Sequence, residues 1–336
     1  MKTLHGIQYL RAFAATAVVL FHAAERTGQH FAIGAAGVDV FFVVSGFIMM
    51  AISDRRPLRP IAFLRDRLLR IAPSYWIVTA IMVAGAAAGF FPNLKLDPWH
   101  VLGSLIFLPV PSPNGGQLWP VLVQGWTLNY EIFFYLVFAL ILMLRPALRL
   151  ASLCLLLVVL VVAGGFLAVS DPIAEFYTQP LILEFAAGAA LAKLWAHGRL
   201  PPPAAGWLLV GGAIAGFATV HLMKMEFDAW ICGPLAVALV GGMLSVETAG
   251  KLRDLPIVGY VGDASYSIYL WHTLALSVVV KAGFLLELPP LLIAGAGVIG
   301  GSLMGIVAYE WVEKPLQAIF KRGRSRRWRA EGRATP

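Results

Sequence analysis

Arg11 and His22 stand eleven positions apart, and all but one of the ten residues between them are apolar. On a helix that spacing is about 16 Å. Imidazole is the side chain whose ordinary titration falls near neutrality, so His22 is suited to taking and returning a proton. A second apolar run, opening Gly34-Ala35-Ala36-Gly37-Val38-Asp39, places Asp39 near the depth of His22. A third, opening Trp126-Thr127-Leu128-Asn129-Tyr130-Glu131, puts Glu131 about 8 Å below its start. A carboxylate beside a histidine fixes its tautomer and stabilises the imidazolium, as the acid member of a hydrolytic triad does. Asp39 reads equally well as a helix N-terminal carboxylate, and Glu131 as half of a structural ion pair. Arg67 and Arg70, three apart, share a helical face and suit phosphate oxygens, although flanking positive charge is the plainer reading of their spacing. The run Ser265-Tyr266-Ser267-Ile268-Tyr269-Leu270-Trp271-His272 gathers hydroxyls, an indole and an imidazole. A lipid-facing helix does not carry such a face, so it must look into a bundle or a wet cavity. Glu184 and Glu310 fit packing or terminal roles better than chemistry.

The elements that position these residues belong to a membrane. Of the 336 residues 59% are apolar and only 13% charged, and mean hydropathy is +0.78, outside the range of soluble domains. A charged side chain at a bilayer centre costs at least about 2.5 kcal/mol, which makes each one here a functional candidate. Ten apolar runs are long enough to span as helices: 8–24, 36–53, 71–89, 126–144, 151–169, 179–197, 205–222, 229–246, 265–285 and 290–310. The fold class expected is an all-α integral membrane bundle with both termini cytoplasmic. Under that topology 22 of the 26 Lys and Arg fall inside, and Arg26, Lys95, Lys224 and Lys281 fall outside. The Pro-rich stretch between Phe90 and Gly125 holds an eight-residue apolar run, Val101 to Leu108, too short to span and read as a re-entrant or interfacial element. No internal repeat divides the chain, so residues 1–318 form one transmembrane domain. Residues 319–336 form a basic tail facing lipid headgroups, with nucleic acid excluded as its partner. Cys154 and Cys232 lie inside apolar runs, which argues against a disulfide framework and a zinc site. The first apolar run is treated as retained and not as a cleaved signal.

Taken together, Arg11 and His22, the Gly37-Val38-Asp39-Val40-Phe41-Phe42-Val43-Val44-Ser45-Gly46 run, Arg67 and Arg70 with Pro73 and Tyr75, Trp126-Thr127-Leu128 with Glu131, and Tyr266 through His272 resemble the acyltransferase 3 family of membrane-bound O-acyltransferases. The order holds over nearly the whole chain. The opening Ile7-Gln8-Tyr9-Leu10-Arg11-Ala12 is most similar to the family's exopolysaccharide acetyltransferases. The resemblance implies ten transmembrane helices, acetyl-CoA or another acyl-CoA as cytoplasmic co-substrate without a metal, and O-acylation of a hydroxyl on an exported or lipid-linked polysaccharide. It further implies a bacterial inner-membrane setting, within reach of a polysaccharide synthesis or export complex. On it, His22 is the catalytic base, with Asp39 or Glu131 compensating. Arg11, Arg67, Arg70 and Tyr75 bind the donor, and Trp126, Tyr266, Ser267, Tyr269 and His272 bind the acceptor. Many relatives carry an added extracytoplasmic esterase-like domain, for which nothing after the tenth span stands here.

Two alternatives remain at the level of sequence. A transporter or flippase of glycan precursors also needs intramembrane charges, although such proteins commonly show repeats. A non-catalytic scaffold does not require His22. Within the enzymatic reading, Ser45 or Ser267 is the candidate for an acyl-enzyme route.

Overall fold

In the computed structural model, residues 4–166 and 171–320 are described, and their regular structure is helical with no strand. Most of the basic tail, from Lys321 onward, lies outside the described residues. The first helix, α1 (His5–Arg26), is followed by a 3₁₀ turn, Ala32–Ala36, that runs directly into α2 (Gly37–Arg55). Next come α3 (Pro60–Ala87), the short α4 (Pro98–Leu105), α5 (Trp126–Ile141), α6 (Pro146–Phe166), the one-turn α7 (Pro172–Tyr177) and α8 (Ile182–Ala196). The chain closes with α9 (Pro203–Leu222), α10 (Ala229–Thr248), α11 (Pro256–Leu285) and α12 (Pro290–Ala308), the last continuing through a π-helical turn, Tyr309–Glu313. Among the described residues eight helices are long and apolar enough to cross a membrane. The runs expected at 126–144 and 179–197 form helices of 16 and 15 residues, about 24 and 22 Å of rise, and fall short of that length. Outward faces are apolar: on α6 only Arg149, Leu153 and Leu157 are buried, while Leu155, Val159 and Phe166 project outward. This is an integral membrane protein whose outward-facing side chains suit lipid.

Several boundaries differ from the hydropathy pattern. The stretch carrying Arg65, Arg67 and Arg70 is no loop, because α3 begins at Pro60, where a proline at the first position sacrifices no bond. That helix continues through Pro73, so the arginines and the apolar half form one rod. Likewise α11 starts at Pro256, nine residues before the apolar run that marks it in the sequence. Hydropathy sees only the apolar part of each.

Two packing seams hold the bundle. On α2, Gly46 lies so close to α8 that a Cβ would sit 2.0 Å from the Phe185 carbonyl oxygen. The reciprocal Gly188 on α8 lies equally close to the Val43 carbonyl. Small residues in register let membrane helices approach this way. Elsewhere α1 and α11 run parallel: Tyr9 Oη donates to the Arg253 carbonyl at 2.9 Å, Gln8 Nε2 to Asp263 at 2.6 Å, and Arg26 Nη1 to Ser277 Oγ at 2.9 Å. Arg149, expected to be flanking charge, is buried and donates to the carbonyls of Leu144, Leu142 and Ser53, capping helix ends from within.

Candidate functional site

A cavity lies among α1, α2, α3, α5 and α11. Its polar lining is Arg11, Ser45, Arg70, Thr127, Glu131, Tyr135, Ser265, Tyr266 and Tyr269. Helical spacing explains the set. Thr127, Glu131 and Tyr135 are successive i, i+4 positions of α5, and Phe41, Ser45 and Ile48 share one stripe of α2. Of the residues expected to act, Arg11, Arg70, Glu131, Tyr266 and Tyr269 reach the cavity wall. His22, Asp39, Arg67, Tyr75, Trp126, Ser267 and His272 stand outside its lining.

One end of this seam is rich in charge. Arg11 Nη1 donates to Gln8 Oε1 at 2.9 Å, and Gln8 is held in turn by Asp263. Glu131 Oε1 accepts from Tyr135 Oη and, at 3.3 Å, from Ser45 Oγ. Arg67 keeps Nε and Nη1 buried without a hydrogen-bond partner, its guanidinium 5.9 Å from the Phe63 ring centroid. Those two donors are left free to bond a group from outside the chain, water or an oxyanion. Glu313, which the hydropathy pattern leaves beyond the tenth span, is buried and accepts from Ser267 Oγ at 2.5 Å and Gln317 Nε2 at 2.8 Å. Ser267 is therefore committed to a carboxylate at this end. The π-helical turn that delivers Glu313 has no signal in composition.

Moving along α11, the lining changes character. Tyr266 Oη donates to the Ile71 carbonyl at 2.6 Å, next to Arg70. One turn on, Tyr269 Oη donates to the Gln124 carbonyl at 2.9 Å and lies 2.8 Å from Thr127 Oγ1. One further turn brings His272, whose ring centroid is 6.3 Å from that of Tyr269. Its Nε2 lies 3.2 Å from His22 Nδ1. His22 Nδ1 is also 3.0 Å from the Val18 carbonyl oxygen, and His272 Nδ1 is 2.9 Å from that of Ile268. Gln124, which no sequence pattern singles out, donates to the Leu270 carbonyl at 2.8 Å and to Thr273 Oγ1 at 2.7 Å. It ties the start of α5 to α11.

The carboxylates expected beside His22 are elsewhere. Among the described residues neither Asp39 nor Glu131 has a hydrogen bond or ion pair to it. Asp39 is fully buried, and its acidic neighbour is the buried Glu184 of α8. The reason is helical phase: Asp39, Val43 and Gly46 lie on one stripe of α2, the stripe that α8 covers, and Glu184 shares its stripe of α8 with Gly188. Nor do the depths match: Gly34 lies against the Ala17 carbonyl and Gly37 against the Ala14 carbonyl, so the antiparallel α2 carries Asp39 away from His22 toward the Arg11 end. Tyr75 is buried against Phe107, ring centroids 5.0 Å apart, and Trp126 packs edge-on to Tyr130. Among the described residues no group of three or more His, Cys, Asp and Glu is placed to hold a metal ion.

Residues 4–310 match the acyltransferase domain that defines the acyltransferase 3 family. The chain belongs to that family. It is 53% identical over 309 residues to the exopolysaccharide production protein ExoZ of Rhizobium meliloti, covering 92% of this chain and 96% of that one. It is also 27% identical over 286 residues to a putative membrane-bound transacylase, BcsY, of Komagataeibacter xylinus, covering 79% and 71% of the two chains. The match to the peptidoglycan O-acetyltransferase OatA of Listeria monocytogenes is 25% over 319 residues, taking in 81% of this chain and 49% of OatA. No solved structure matches the chain.

Proposed function

We propose that this acyltransferase moves an acetyl group from acetyl-CoA to a hydroxyl of a cell-surface polysaccharide, with His22 as general base. The observation that carries the reading is the polarity of a single seam: unanswered arginine donors at one end and a histidine pair at the other. Arg11 and His22 mark the two levels on α1, about 16 Å apart, a span comparable to an extended pantetheine arm. Arg67 and Arg70, with Arg11, hold the donor's phosphates by charge-assisted hydrogen bonds, and Tyr75 buttresses that end of α3. The thioester then reaches the level of Tyr269 and His22 while the nucleotide stays where it bound. His22 takes the acceptor hydroxyl's proton as the oxygen attacks the thioester carbonyl. The C–S bond breaks and the same proton passes to the departing thiolate, giving ester and CoA. Trp126, Tyr266, Tyr269 and His272 line the acceptor's approach, with Ser267 holding its end of α11 in place through Glu313.

In the proposed topology the shorter α5 and α8 complete ten spans. The charge asymmetry supports a topology with both termini and the arginine end on the cytoplasmic side, and the proposed setting is a bacterial inner membrane. The polysaccharide acceptor is supported by ExoZ and OatA, whose names specify exopolysaccharide production and peptidoglycan O-acetylation. The test is transfer of labelled acetyl from acetyl-CoA to exopolysaccharide by the purified protein in nanodiscs. Labelled polysaccharide is expected; glycan uptake into proteoliposomes without any transfer would favour a flippase instead.

A further inference from the structure

Resting on that reading, we infer that His272 is a positioning residue that, together with the Val18 carbonyl, holds His22 as its Nδ1–H tautomer and aims its basic nitrogen at the acceptor. A carbonyl oxygen can only accept, so the Ile268 oxygen, 2.9 Å from His272 Nδ1, requires a hydrogen on that nitrogen. Neutral His272 therefore presents a lone pair at Nε2. His22 Nδ1 lies between two acceptors, that lone pair at 3.2 Å and the Val18 oxygen at 3.0 Å, and must itself carry a hydrogen. Neutral His22 is then left with its lone pair on Nε2, which has no hydrogen bond among the described residues. That is the nitrogen a general base needs.

The opposite assignment fails on chemistry. A doubly protonated His272 would turn its Nε2–H toward His22 Nδ1. That nitrogen would then have to accept, leaving its lone pair facing the Val18 oxygen. It would also bury a cation, in a side chain with no exposed surface, without a carboxylate, which is costly. The surroundings hold the pair in register. Arg26, one turn beyond His22, donates from Nη1 to the Thr273 carbonyl at 3.2 Å and to Ser277. On α12, Gly301 leaves only enough room for the pair, since a Cβ there would meet His272 Cβ at 3.1 Å and Val19 at 3.3 Å. When Nε2 takes the acceptor's proton, the charge on His22 strengthens the Nδ1–H bond to His272. A neutral imidazole thus occupies the place a carboxylate has in a hydrolytic triad.

The test uses the full chain in nanodiscs with ¹⁵N-labelled histidine, His22 being assigned by difference against His22→Asn. The unsubstituted protein is expected to show His22 as the Nδ1–H tautomer; finding Nε2–H overturns the inference whatever the variants do. In His272→Phe, kcat should fall about tenfold to a hundredfold, as when a partner orienting a metal-bound histidine is lost, with KM for acetyl-CoA unchanged; the Val18 carbonyl still keeps the hydrogen on Nδ1, so the loss reports the aim of the ring and the support of its charged form. His272→Gln, whose side-chain oxygen can accept from Nδ1–H, should recover most of kcat. Unchanged kcat in His272→Phe, or equal losses in both variants, would refute the positioning role. His22→Ala measured alongside separates the two ideas. If it is inactive while His272→Phe is normal, only the pairing falls; if it remains active, the general-base reading itself fails.

Discussion

The two ends of the seam are built from opposite materials. At the arginine end, Arg11, Arg67, Arg70, Glu131 and Glu313 concentrate charge. Most of it is answered by hydrogen bonds within the protein, and two guanidinium nitrogens of Arg67 are left waiting. At the histidine end the groups in contact with the two imidazoles are uncharged rings and backbone carbonyls, the Arg26 guanidinium one turn beyond is held by the Thr273 carbonyl and Ser277, and no carboxylate touches either imidazole among the described residues. Fixed charge binds an anion well but makes a poor proton carrier, because a permanently protonated guanidinium cannot take a proton. Neutral imidazole does the reverse. On the proposed function, the contrast divides donor binding and proton transfer between two levels of one bundle, joined by the turn of α11 that carries Tyr266 and Tyr269.

Substitutions can break that division one end at a time. The largest expected effect is His22→Ala, which should lower acetyl transfer about 10²- to 10⁴-fold with little change in donor affinity; titration of acetyl-CoA against initial rate separates the two. Next, Arg67→Ala should weaken donor binding by about 1.5–3 kcal/mol, seen as a raised KM for acetyl-CoA with kcat nearly kept. Gly188→Leu attacks the scaffold instead. With the Val43 carbonyl only 2.0 Å from where a Cβ would sit, α2 and α8 must part, and a cost of about 1–3 kcal/mol should appear as a lower Tm in detergent. Smaller still, Glu131→Gln should change kcat less than His22→Ala does, since Glu131 bonds Ser45 and Tyr135 and not the imidazole; a loss equal to that of His22→Ala would restore it as the base's partner. The smallest effect belongs to Asp39→Asn, which replaces a carboxyl by an amide of nearly the same shape beside Glu184. Turnover should stay within a few-fold by the same assay.

Much of this was legible in the sequence, and what was not has a physical reason. Hydropathy exposes a helical membrane protein because lipid demands long apolar runs. It blurred α3 and α11, whose polar N-terminal turns are helical but not apolar. The residue types of the site are also visible, because charges and imidazoles stand out against an apolar background. Their partners are not, since contact depends on helical phase and on which helix is next door. Asp39, expected at the depth of His22, lies nearer the Arg11 end and points to α8, and the small-residue positions Gly46 and Gly188 were the available clue. The pairing of His22 with His272 joins positions 250 residues apart, and only the parallel packing of α1 on α11 brings them together. Glu313 was hidden by a π-helical turn beyond the end of the apolar run.

The division between the two ends is tested most directly by equilibrium binding of a non-hydrolysable acetyl-CoA analogue to the unsubstituted protein, His22→Ala and Arg67→Ala in the same nanodisc preparation. His22→Ala should bind the analogue with unaltered Kd while transferring almost no acetyl, and Arg67→Ala should bind it about tenfold or more weakly, the equivalent of 1.5 kcal/mol. A Kd that rises in His22→Ala and stays put in Arg67→Ala would contradict the account.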